Sequence, residues 1–128
     1  MASRYARGAD FERALRKALE SFPCVAFTMR AAGSHGKVDV LALRKSYQHR
    51  GRDAALFQCK TGGVITVEER NQLGRIAHAT KMTAAVVSKA GARPIVVWPI
   101  DKNGNYTTDS PLELGPFLDS YMGWSSGG

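Results

Sequence analysis

Residues 25–60 read VAFTMRAAGSHGKVDVLALRKSYQHRGRDAALFQCK, and three strand-like runs stand out in them: Val25 to Arg30, Val38 to Leu43 and Ala54 to Lys60. Each is short, apolar and bounded by polar or Gly-rich loops, the pattern of strands in a half-buried or buried sheet. A Gly-rich loop, Ala31 to Gly36, joins the first two. A polar loop with four Arg or Lys residues, Arg44 to Asp53, joins the second and third. This basic loop either reaches a polyanion or is a solvated connection. Asp39 interrupts the second run, where every neighbour is apolar. A carboxylate in a buried strand is costly unless a metal ion or a buried arginine compensates it. The third run ends Gln58-Cys59-Lys60. Side chains alternate along a strand, so Gln58 and Lys60 share one face and Cys59 takes the other. Paired as a hairpin, the two strands bring Asp39, Gln58 and Lys60 to one spot.

Upstream, Asp10 is placed to cap a helix running to about Ser21, closed by Pro23. Phe11, Ala14, Leu15, Ala18, Leu19 and Phe22 form its apolar stripe, while Arg13, Arg16, Lys17 and Glu20 face solvent. Glu12 lies on the rim of the stripe, able to reach the Asp39 cluster from above. Residues 1–9 read as a flexible basic arm. Downstream, Thr66-Val67-Glu68-Glu69 is a capping box opening a second helix to about Lys81. Two β-branched runs follow, Thr83 to Ser88 and Arg93 to Ile100. Asn103-Gly104 marks a turn, Pro111 to Tyr121 a last short helix, and residues 123–128 a flexible tail. The order predicts one α/β domain over residues 1–128, a mixed central sheet flanked by helices.

The chain has 128 residues and a net charge of +7, which favours a polyanionic partner such as nucleic acid. No apolar run is long enough for a membrane span, and nothing at Met1 to Arg7 looks like a secretory signal, so a cytoplasmic protein is expected. Cys24 and Cys59 sit in apolar segments and read as buried free thiols, without zinc-ligand spacing. The Gly33-Ser34-His35-Gly36 loop lacks the ending of a nucleotide-binding loop. His35, His49 and His78 are scattered. Trp98 reads as core and Trp124 as part of the loose tail.

The Asp39 cluster suits phosphodiester hydrolysis. Asp39 and Glu12 are hard oxygen ligands for Mg²⁺, with Mn²⁺ as a substitute; Gln58 is a neutral ligand, and the Cys59 carbonyl can add another. Lys60 is placed to orient or deprotonate the attacking water or to offset charge on the phosphate. Taken singly, Asp39 also fits a structural ion pair, and Lys60 a strand-end residue reaching solvent.

At these residues the sequence resembles a known family. Val38-Asp39 followed by Gln58-Cys59-Lys60 is similar to the PD…(D/E)xK nuclease core, a restriction-endonuclease-like fold. Arg7-Gly8-Ala9-Asp10-Phe11-Glu12-Arg13-Ala14-Leu15 resembles the RKGxxxERELxxLL opening of archaeal-type Holliday junction resolvases, and Arg30-Ala31-Ala32-Gly33-Ser34 with Lys37-Val38-Asp39 resembles their RAAGS…PDI segment. The blocks lie in the family's order over residues 4–61. The resemblance implies a homodimer holding a four-way DNA junction, with one metal-dependent site per subunit and paired nicks in opposing strands. It places the metal ligands and catalytic lysine on Glu12, Asp39, Gln58 and Lys60, a phosphate contact on Arg13, and backbone contacts on Arg30 and Ser34. The basic, flexible arm and loop add Arg4, Arg7, His35 and Lys37 as phosphate contacts. Two departures stand out: Gln58 where the family has glutamate, and Val38 where it has proline. An amide oxygen ligates Mg²⁺ but carries no charge, so weaker metal binding is expected. Two alternatives follow: a nuclease of the same fold acting on flaps or nicked duplex, or a branched-DNA-binding protein with little or no catalysis. For dimerisation, the second helix and the Val96-Val97-Trp98 strand are both candidates.

Overall fold

The computed structural model describes residues 4–31, 38–45, 53–60, 65–89 and 94–124, with the backbone alone at 4–8. Helix α1 spans Arg4–Glu20. It therefore starts six residues before Asp10, and the expected flexible arm is helical from Arg4 onward. No proline or β-branched residue interrupts residues 4–9, and the extension buries Ala9. Asp10 is thus inside the helix, where it pairs with Arg13 instead of capping. Phe11, Leu15 and Leu19 are buried as the stripe requires. Arg16 departs from the solvent-facing pattern: its Nε donates to Thr28 Oγ1 at 3.2 Å, and that hydroxyl donates to Glu20 Oε2 at 2.6 Å. The buried Thr28 thereby ties α1 to the sheet.

Six strands, β1 (Val25–Arg30), β2 (Val40–Arg44), β3 (Ala54–Lys60), β4 (Thr83–Ser88), β5 (Val96–Ile100) and β6 (Leu112–Glu113), form one sheet in sequence order. All neighbours are antiparallel except β3 and β4. That parallel step needs a crossover, and helix α2 (Val67–Thr80) supplies it. The mixed sheet flanked by helices is thus as expected. Residues Ala54 to Gln58 of β3 are all buried because layers cover both faces. On one side α1 and the C-terminal segment enclose Val40, Ala42, Ala55, Phe57, Val87 and Val97. On the other, α2 packs Leu73 and Ala77 against Leu56, Ala84, Val86 and Ile100.

Thr66 caps α2 as the capping box predicts: its Oγ1 accepts from the Glu69 N–H at 3.1 Å, and Glu69 Oε1 accepts from the Thr66 N–H at 3.2 Å. The seat of α2 is fixed by two glycines. A Cβ on Gly74 would lie 2.6 Å from the Asp101 carbonyl oxygen, and one on Gly104 would lie 2.6 Å from the Arg70 backbone. Gly104 also has φ +84°, in the turn where Asp101 Oδ1 accepts from the Asn103 and Asn105 N–H groups at 2.9 Å each.

The last helix is not continuous over Pro111 to Tyr121. Leu112–Glu113 pair with β5, Leu114–Pro116 form one turn, α3, and Phe117–Tyr121 a π-helical turn. Gly115-Pro116 explains the break, since proline lacks the N–H that a helix begun at Pro111 would need. The tail is a second correction. Trp124 is fully buried, and its N–H donates to the Leu118 carbonyl at 2.7 Å, so packed structure continues past Gly123. The burial follows from the size of the ring: no other residue near the end of the chain can cover as much apolar surface. Cys24 and Cys59 are free thiols. Among the described residues no helix is long and apolar enough to cross a membrane.

Candidate active site

The site lies where β2 begins and β3 ends. Val40↔Phe57 is the terminal pair of the β2–β3 ladder. One residue beyond it, the Asp39 N–H donates to the Phe57 carbonyl at 2.8 Å, and Asp39 Oδ2 accepts from the Cys59 N–H at 2.8 Å. The Asp39 carbonyl, in turn, accepts from the Ala31 N–H at 2.9 Å. The carboxylate is therefore fixed by backbone on both sides, although residues 38 and 39 lie just outside the strand expected to contain them.

Burial raises the Asp39 pKa, and the nearby Glu12 charge adds to the rise; the Cys59 N–H, Arg30 and Lys60 oppose it. Glu12, Arg30, Asp39 and Lys60 thus share one electrostatic neighbourhood. Glu12, half-buried on α1, accepts from Arg30 Nε at the end of β1. The Cys59 thiol is pushed up by burial and by the Asp39 and Glu12 charges, which keeps it protonated and unreactive.

Gln58 is buried at 8 % exposure and turns to the α2 face, away from the core that holds Phe57 and Cys59. Its Nε2 donates to Glu69 Oε2 at 3.4 Å, while its Oε1 is buried with no partner among the described residues. A buried carbonyl oxygen without a donor is an open acceptor, the donor type a hard cation takes. The donor types present, two neighbouring carboxylates and an amide oxygen, are those Mg²⁺ takes, with Glu12 on the α1 side of the sheet and Gln58 on the α2 side. Among the described residues, no three His, Cys, Asp or Glu side chains converge as a metal cage.

The other residues singled out in the sequence divide into three groups. Arg13 is exposed and pairs with Asp10 at 2.8 Å, on the surface near Glu12. Arg30 contacts Glu12 rather than standing alone toward a phosphate. Arg4 and Arg7 lie on α1, but their side chains are outside the described residues, as are Ser34, His35 and Lys37 altogether. Two partners were not visible in the sequence. Arg30 reaches Glu12 across eighteen residues, a distance no local pattern encodes. Glu69 is fully accounted for by its capping box, so its second contact, to Gln58, left no trace.

No protein-family model and no curated protein matches the chain. Among solved structures it is similar to Hjc, a Holliday junction resolvase from the archaeal hyperthermophile Archaeoglobus fulgidus, with a TM-score of 0.64. The likeness covers 88% of this chain and 98% of that one at 21% identity. The chain has the fold of Hjc. Asp39 therefore lies just before the second strand of a Hjc-like sheet, Gln58 and Lys60 on its third, and Glu12 on the first helix.

Proposed function

We propose that the chain is a metal-dependent DNA endonuclease that resolves four-way junctions as a homodimer. The observation that carries this is the Asp39 site: a carboxylate anchored on the Cys59 N–H, crowded by Glu12, beside Lys60, on a resolvase fold. The +7 net charge suits a polyanionic substrate. In this reading Asp39, Glu12, the Gln58 amide oxygen and the Cys59 carbonyl hold Mg²⁺ or Mn²⁺. The ion, when bound, supplies charge for the phosphate and lowers the pKa of its water. Lys60 orients the attacking water and offsets negative charge growing on the phosphoryl oxygens. Arg13 holds a neighbouring phosphate, releasing Asp10 to do so. Arg30 keeps the Glu12 carboxylate turned toward Asp39 despite their mutual repulsion.

Dimerisation belongs to the same reading. A bulge between Val25 and Phe27 turns Phe27 and Met29 to the sheet face opposite Thr28, where they are 51% and 50% exposed. They pair across the ladder with Leu43 and Leu41, giving an apolar patch at the sheet edge. This patch favours the β1–β2 face over α2 or residues 96–98 as the dimer surface. Phe27→Asp with Met29→Asp is expected to yield monomers by sedimentation, whereas a dimer retained in that variant places the interface elsewhere.

A second reading, a branched-DNA-binding protein with weak or no catalysis, draws support from the uncharged Gln58. Asp39→Asn separates the two. The nuclease loses about 10³-fold or more in Mg²⁺-dependent cleavage while keeping junction binding; a pure binder has no cleavage to lose.

A further inference from the structure

The uncharged amide at position 58 and the acid beside it behave as one unit. Gln58 has two amide atoms, and only the oxygen can ligate a cation. Which atom faces Glu69 is therefore decisive. The Nε2 group donates to Glu69 Oε2 at 3.4 Å, which is the only orientation a carboxylate accepts, and Oε1 is left buried and without a partner among the described residues. The other Glu69 oxygen is engaged by the Thr66 N–H at 3.2 Å and the Thr66 hydroxyl at 3.1 Å, so the carboxylate cannot swing away. The close approach of Gly74 and Gly104 to backbone holds the helix that carries it.

We infer that Glu69 is a positioning residue for the cation site: it takes the Gln58 amide N–H, presents Oε1 as the ligand, and keeps one negative charge a single hydrogen bond behind it. The pair thus restores, from a helix, the charge that the glutamine removed from the strand. The inference rests on the metal-dependent reading above. It has a counter-intuitive corollary: Gln58→Glu alone does not improve the site, because it removes the amide donor that Glu69 holds, so the ligand oxygen is no longer positioned.

The test is Mn²⁺ binding by titration calorimetry, with the Mn²⁺ paramagnetic resonance signal as a second readout, on the full chain and four variants. Glu69→Gln is expected to weaken Mn²⁺ about 10-fold, the usual cost of losing a partner of a metal ligand. Leu118→Ala, a cavity in the core of the C-terminal segment, lowers the melting temperature yet leaves Mn²⁺ affinity unchanged, which separates positioning from folding. Gln58→Glu binds no more tightly than the wild type at neutral pH. Gln58→Glu combined with Glu69→Gln, which exchanges the two groups, binds at least as tightly as the wild type. Wild-type affinity in Glu69→Gln, or tighter binding by Gln58→Glu than by the exchanged pair, overturns the assignment of Glu69 alone. A wild type that binds no Mn²⁺ overturns the metal-dependent reading and this inference with it.

Discussion

The two acids flanking the end of β3 are held in opposite ways. Glu12, on the α1 side, is held by a cation: Arg30 neutralises it next to the half-buried Asp39. Glu69, on the α2 side, accepts hydrogen bonds from the Thr66 N–H and the Gln58 amide and is bonded to the Thr66 hydroxyl. One side of the site is an ion pair pressed against a second carboxylate; the other is a hydrogen-bonded cap on a rigidly seated helix. Perturbing the first side changes charge at the site. Perturbing the second changes position.

That contrast can be broken from either side. Gly74→Ala acts on position alone. Its Cβ meets backbone atoms at 2.6, 2.8 and 2.9 Å, so α2 must move, with an expected loss of about 1–3 kcal/mol in urea unfolding. Because the shift carries Glu69 with it, cation affinity is expected to fall as well. Arg30→Ala acts on charge alone, leaving Glu12 unpaired beside Asp39. Both partners of this pair are partly exposed, so the expected cost is discounted to about 1–2 kcal/mol. This loss should shrink when Mg²⁺ is added, since the cation replaces the missing guanidinium; a loss insensitive to Mg²⁺ separates Glu12 from the metal site.

The smallest effect sharpens the same comparison. Burial and the Glu12 charge raise the pKa of Asp39, so the folded chain binds this proton more tightly than the unfolded chain does. The contribution to stability is therefore greatest below the ordinary value of 3.8 and declines as pH rises from there through the raised value. At neutral pH the ionised Asp39 is a cost. Metal-free Asp39→Asn is expected to be slightly more stable than the wild type at pH 7, with the gain disappearing in acid, as a thermal melt series across pH would record.

How much of this was legible depended on the range of the interaction. The β1, β3 and β4 spans, the Thr66–Glu69 box and the Gly104 turn follow from two- to four-residue patterns, and the structure reproduces them. Asp10 is a good cap by type, yet of the residues just before it only Gly8 disfavours a helix, and α1 runs through it. The C-terminal segment was misread because Trp124 is buried by contacts with the rest of the fold, which no local window contains. At the site, residue types that suit a cation could be named from spacing and resemblance. The Arg30–Glu12 and Gln58–Glu69 partnerships could not, since each joins elements that only the folded sheet brings together.

The central claim is that the Asp39 site cuts branched DNA with a divalent cation. The direct measurement is cleavage of an immobile four-way junction against linear duplex of the same sequence, with and without Mg²⁺. Paired, Mg²⁺-dependent nicks confined to the junction are the predicted result. Tight junction binding with no cutting under Mg²⁺ or Mn²⁺ would contradict it.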